Sequence, residues 1–179
     1  MMFQNFFKYI LSQHFSYDLR IFNDIITSGG NLMKSKYCFY GWQNATMSRN
    51  NPDFPVITTP QQLYDILSTI WCRKTCAPRM QKDWSEDNRT LGQCSITAFL
   101  VQDIYGGKVF GIPLADGSIH CYNEVNGQKF DLTSEQFAPG SISYAEDPEQ
   151  FREVHFRKQE KYERYLYLKE QLNRYLRQK

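Results

Sequence analysis

Two dipeptides constrain this chain more than any other feature: Asp116-Gly117 and Asn126-Gly127, each set between runs that alternate polar and apolar residues. Such pairs supply the positive φ angles that tight two-residue hairpin turns require. The spacing predicts strands over 108–114, 118–125 and 128–132, folded as successive antiparallel hairpins. A meander this small cannot hide its apolar face unaided, so another element must cover it.

The cover stands just upstream. Ile96, Ala98, Phe99, Leu100, Val101, Ile104 and Tyr105 make a run that is apolar most of the way round a helix, which predicts a buried helix rather than a surface one. Gly106-Gly107 ends it, and Leu91-Gly92-Gln93-Cys94 leads into it, so Cys94 falls at its beginning. Further back, Thr59-Pro60-Gln61-Gln62 combines a capping hydroxyl, a proline at the first helical position and a reciprocal amide. A helix is expected over 60–73, with Leu63, Ile66, Leu67 and Ile70 on its inner side. Asn44 to Thr59 and Cys76 to Thr90 read as irregular connections, and Thr133-Ser134-Glu135-Gln136 as a second capping box before a short helical turn. Asp147-Pro148 opens an expected long C-terminal helix, with Phe151, Val154, Tyr162, Tyr165, Leu168, Leu172 and Tyr175 as its apolar side. The predicted fold class is α+β: a buried Cys-bearing helix packed on an antiparallel hairpin sheet, with a long C-terminal helix beside it.

Residues 1–32 form a poorly defined N-terminal extension, and 33–179 a single domain. Phe3 to Ile10 and Leu19 to Ile26 could each make a short amphipathic helix before Ser28-Gly29-Gly30-Asn31 breaks the chain. In a bacterial gene, codons for Ser-Gly-Gly can spell a ribosome-binding site ahead of Met33. Translation starting at Met33 is therefore a second reading of this end.

The 21 basic and 19 acidic residues leave a net charge of +2, which argues against a nucleic-acid partner. No segment has the unbroken apolar length of a membrane span, and the start lacks the order of a secretory signal. A cytoplasmic location is expected. There the five cysteines would be free thiols. The 12 Tyr and 13 Phe supply core area without long aliphatic runs.

A two-residue turn at Asn126-Gly127 sets Asn123 opposite Phe130 and Tyr122 opposite Asp131. Alternation then places His120, Tyr122, Asp131 and Thr133 on one face, with His120 and Asp131 as diagonal neighbours. Ile119, Cys121, Val125, Phe130 and Leu132 share the other face. Cys94, at a helix start, sits where free N–H groups and the helix dipole lower a thiol pKa. A thiol, an imidazole and a carboxylate in this order can perform nucleophilic catalysis: Cys94 attacks, His120 transfers protons, Asp131 orients the ring. Gln93 or the local N–H groups would hold the oxyanion, and Tyr122 and Trp84 are candidates for lining a substrate pocket. The scheme needs no cofactor and no metal.

The order of elements resembles the transglutaminase-like branch of the papain-like superfamily, with Cys on a helix and His and Asp on successive strands. From about Leu63 to Phe137 a nearer resemblance holds. Gly92-Gln93-Cys94, Thr97-Ala98, Val101-Gln102-Asp103, Gly106-Gly107, His120-Cys121-Tyr122-Asn123 and Asp131-Leu132-Thr133 are similar to the small bacterial YunG-like proteins. The first resemblance implies a cysteine hydrolase or acyltransferase acting on a small-molecule or peptide substrate. The second implies a fold and a candidate site more than an activity.

Other readings compete. Cys94 could be a small core residue at a tight helix start, His120 a polar residue on a solvent-facing strand, and Asp131 a cap for the turn at Thr133. The chain would then be a non-catalytic binding module of the same fold. Zinc held by Cys72, Cys76, Cys94, His120 or Cys121 is disfavoured: Cys72-x-x-x-Cys76 is wider than structural zinc spacing, and His120 and Cys121 point to opposite faces. The tyrosines of the last helix leave room for a dimer interface.

Overall fold

Helix α1 begins where its capping box places it. In the computed structural model, which describes residues 35–45 and 51–178, α1 spans Pro60–Ile70. Thr59 Oγ1 accepts from the Gln62 N–H at 3.3 Å, and Gln62 Oε1 accepts from the Thr59 N–H at 3.1 Å. Leu63, Ile66 and Leu67 are buried. The helix stops short of the expected residue 73, because Thr75 Oγ1 accepts from the Cys72 N–H at 2.9 Å and donates to the Cys72 carbonyl at 2.8 Å, closing a turn there.

Helix α2, Cys94–Tyr105, is buried through most of its length. Ile96, Thr97, Ala98, Phe99, Leu100, Val101, Ile104 and Tyr105 are all buried, as an all-round apolar helix demands. One side rests on the sheet and another on the C-terminal helix. The sheet has three antiparallel strands in order β1-β2-β3: Lys108–Pro113, Ile119–Val125 and Gln128–Phe130. Asn123 faces Phe130 and Val125 faces Gln128, the register that a two-residue Asn126-Gly127 turn imposes. Asn126 and Gly127 both have positive φ, at 53° and 75°. Asn123 Nδ2 donates to the Ala98 carbonyl at 2.9 Å, tying β2 to α2.

Three expectations fail here. Strand β3 ends at Phe130, so Tyr122 does not face Asp131; Asp131 instead pairs with Tyr40, its N–H donating to the Tyr40 carbonyl at 3.0 Å. Thr133 opens a 3-10 turn, Ser134–Gln136, without a side-chain cap. The C-terminal helix does not start at Asp147-Pro148. Residues 148–150 run along the edge of β1, where Pro148 O accepts from the Gly111 N–H at 3.0 Å and the Gln150 N–H donates to Val109 O at 2.7 Å. A short α3, Arg152–His155, follows, and the long helix α4 spans only Gln159–Arg177. Phe151, Val154 and Tyr162 are exposed, whereas Tyr165, Leu168 and Leu172 are buried as expected. Asp103 on α2 fastens both α3 and α4: it accepts from Arg152 on α3, and from Tyr165 and, at 3.0 Å, Lys169 Nζ on α4.

The expectations for residues 1–32 and for a start at Met33 lie outside the described residues. No helix among the described residues is long and apolar enough to cross a membrane. All five cysteines are free thiols.

Candidate active site

The approach to α2 explains how Cys94 is placed. Gly92 has φ of +67°, and a Cβ there would lie 2.7 Å from Cys76 Sγ and 2.9 Å from the Ala77 nitrogen. Only glycine fits both the left-handed backbone and the space. Gly92→Ala is expected to destabilise the fold by about 2–4 kcal/mol, from left-handed strain plus overpacking. Urea unfolding of the two proteins checks this.

Arg164, buried on α4, holds the same loop from outside. Its Nε donates to the Thr75 carbonyl and its Nη2 to the Gly92 carbonyl, both at 3.1 Å. The first intrahelical bond of α2 is Thr97 N–H to Gln93 O. The N–H groups of Cys94, Ser95 and Ile96 therefore have no helical acceptor and stand at the positive end of the helix dipole.

Cys94 is half-buried and lines a cavity of about 680 Å³ together with His120, Cys121, Phe137 and Lys161. Asp131 stands behind His120: Nε2 of the ring and Asp131 Oδ2 are 2.5 Å apart, and the two side chains are 1% and 2% exposed. Water cannot screen a pair this deep. The other Asp131 oxygen accepts from the Thr133 N–H and hydroxyl, each at 2.8 Å, and Tyr144 donates to Oδ2 at 2.9 Å. The carboxylate is thus fixed on all sides. Phe137 packs edge-on against the imidazole, with ring centroids 4.7 Å apart.

The electrostatics follow from this packing. Burial alone would lower the His120 pKa, but the Asp131 charge and hydrogen bond, with a contribution from Cys94, push it up to about 10. The Cys94 thiol is held well below its ordinary value, first by hydrogen bonding from the Cys121 thiol and then by His120, which together outweigh burial. Cys121 moves the opposite way, raised by Cys94 and by burial. His120 Nδ1 is buried without a hydrogen-bond partner among the described residues, and Cys94, which lines the same cavity, contributes to raising the pKa of the ring.

Of the residues expected here from sequence, Cys94, His120 and Asp131 come together, and three others do not. Gln93 Nε2 donates to the Cys72 carbonyl at 3.2 Å and its side chain does not line the cavity. Of the two groups expected to receive an oxyanion, only the helix-start N–H groups stand beside Cys94. Tyr122 shares the His120 face of β2 but does not line the cavity; it is stacked on Phe110, packs edge-on against Tyr144 and donates to Asp147 Oδ2 at 3.1 Å. Trp84 closes its own loop, its indole N–H donating to Arg89 O at 3.1 Å. Sequence reasoning missed Tyr144, Phe137, Lys161 and Arg164. These come from a loop and a helix whose packing no local spacing announces. Cys121 was in view as a core residue and as a disfavoured zinc ligand, but not as a partner of the Cys94 thiol. Among the described residues, no group of three or more His, Cys, Asp or Glu side chains has the arrangement to hold a metal ion.

Residues 59–177 match the YunG protein family, and the chain belongs to it. The Uncharacterized protein YunG of Bacillus subtilis (strain 168) is 37% identical over 112 residues, covering 62% of this chain and 89% of that protein. No solved structure shows a significant match.

Proposed function

We propose that this protein is a cysteine-nucleophile enzyme acting on an amide or related acyl group, with the papain-like, transglutaminase-like order of Cys94, His120 and Asp131. The observation that carries the reading is the buried His120–Asp131 pair standing beside a half-buried thiol in a cavity. In the resting state Cys94 is a thiolate and His120 an imidazolium, each favoured by the other. The thiolate attacks the carbonyl carbon, and the N–H groups at the start of α2 receive the oxyanion. His120 gives its Nδ1 proton to the leaving amine as the C–N bond breaks, which leaves a thioester on Cys94. Neutral His120 then takes a proton from water or an acceptor amine as that nucleophile attacks the thioester. Hydrolysis, deamidation and acyl transfer differ only in the acceptor.

Intact-mass analysis after brief exposure to a p-nitrophenyl ester tests the scheme. One acyl group is expected on Cys94, formed at a rate that His120→Ala sharply reduces. Acylation spread over the other thiols, or none at all, would contradict it.

A further inference from the structure

The cavity around Cys94 has a sided charge distribution that the acyl chemistry alone does not use. Its lining includes Arg79, Lys158, Lys161 and Arg164. Arg79 is paired with Asp116 at 3.3 Å, and Arg164 with Glu160 at 3.3 Å and with two carbonyls. Lys158 and Lys161 have no carboxylate partner among the described residues. Lys161 is half-buried, and the one hydrogen bond of its ammonium group goes to His155 Nδ1 at 3.4 Å. His155 offers no countercharge. Burial, Lys161, Arg164, Lys158 and Arg152 lower its pKa to about 3, so it is neutral at ordinary pH.

Helix α4 starts at the same place. Lys158 occupies its N-cap position, no side chain caps it, and Glu160 of its first turn is drawn to Arg164. The uncapped start of a 19-residue helix therefore lies at the cavity, beside a half-buried ammonium group with no carboxylate in ion-pair contact among the described residues. Burial and the nearby Lys158 lower the Lys161 pKa against the opposing pull of Cys121, Glu160 and Cys94, and a bound anion would relieve the first two.

Building on the thiol reading above, we propose that the substrate carries a carboxylate, received by Lys161 with Lys158 and the N-terminal end of α4, while its acyl carbon lies against Cys94. Two lysines, with one acidic residue in the same turn, suit a single negative charge. An acylated amino acid or the C-terminal end of a peptide has this form.

Alkylation of Cys94 by iodoacetate and by iodoacetamide separates the carboxylate from the thiol chemistry, because the reagents differ in that group. The ratio of the two rates, read by mass spectrometry, is expected to fall about tenfold in Lys161→Met and to recover in Lys161→Arg, as loss of a charge-assisted contact implies. If Lys161→Met slows both reagents equally, Lys161 acts on the thiolate and the carboxylate assignment is overturned; an unchanged ratio overturns it too, while fast iodoacetamide labelling leaves the catalytic reading standing. Slow reaction with both reagents in the wild type would count against the catalytic reading instead. In that case binding of N-acetylglycine to Cys94→Ser, followed by NMR, decides: saturable shifts at Lys161 that Lys161→Met abolishes support the carboxylate site, and their absence overturns it.

Discussion

Replacing Asp131 with Ala should unfold the protein at a urea concentration far below that of the wild type, with a loss of about 3–5 kcal/mol at neutral pH. The carboxylate is 2% exposed and bonded to His120, Thr133 and Tyr144, so its removal strands a buried imidazolium and orphans three donors. The loss depends on pH in a defined direction. His120 is raised in the folded state from near 6.5 to about 10. The stability its proton contributes is complete below the unfolded value and fades as pH rises through the folded one. The gap between wild type and Asp131→Ala should therefore narrow between pH 6.5 and pH 10. A gap that widened over that range would show that His120 is not held protonated by Asp131.

Arg164→Met should be about as damaging, although the residue lies far along the chain from Cys94. Two charge-assisted bonds to the Thr75 and Gly92 carbonyls are removed, each worth about 1.5–3 kcal/mol, for about 3–6 kcal/mol in total. Methionine keeps much of the packing volume, so the cost isolates the guanidinium. Gly92 lies on the loop into α2, and loosening it should also slow Cys94 alkylation in the molecules that remain folded. Urea unfolding gives the first effect, and alkylation well below the denaturation midpoint gives the second. Arg164→Met with wild-type stability would mean that the loop holds itself.

How far the sequence announces all this depends on whether the deciding contacts are local. The Asn126-Gly127 turn fixes the register of β2 on β3, and the capping box at Thr59 fixes where α1 begins; both are read from neighbouring residues. The nearness of His120 and Asp131 was likewise legible from hairpin geometry. Its detail was not, because Asp131 leaves the ladder to bond Tyr40, a residue from the other end of the domain. The solvent-facing reading of the His120 face fails for the same reason. The segment carrying Phe137 and Tyr144 folds back over it, and nothing in a pattern of period two foretells a loop's return path. The break before α4 belongs to this class too. Residues 148–150 prefer the open edge of β1 to a helical turn, and Pro148, without an N–H, uses its carbonyl there. Gln93 adjoins Cys94 in sequence, yet its amide is spent on Cys72, so adjacency along the chain did not mean adjacency in the site.

The central claim is that Cys94 and His120 rest as a thiolate–imidazolium pair. The pH dependence of Cys94 alkylation by iodoacetamide, resolved by mass spectrometry against the other four thiols and repeated in His120→Ala, tests it most directly. The account predicts that Cys94 reacts rapidly well below the ordinary thiol pKa of about 8.5 and loses that advantage without His120. Reactivity that rises only near the ordinary value, or that is unchanged in His120→Ala, would contradict it.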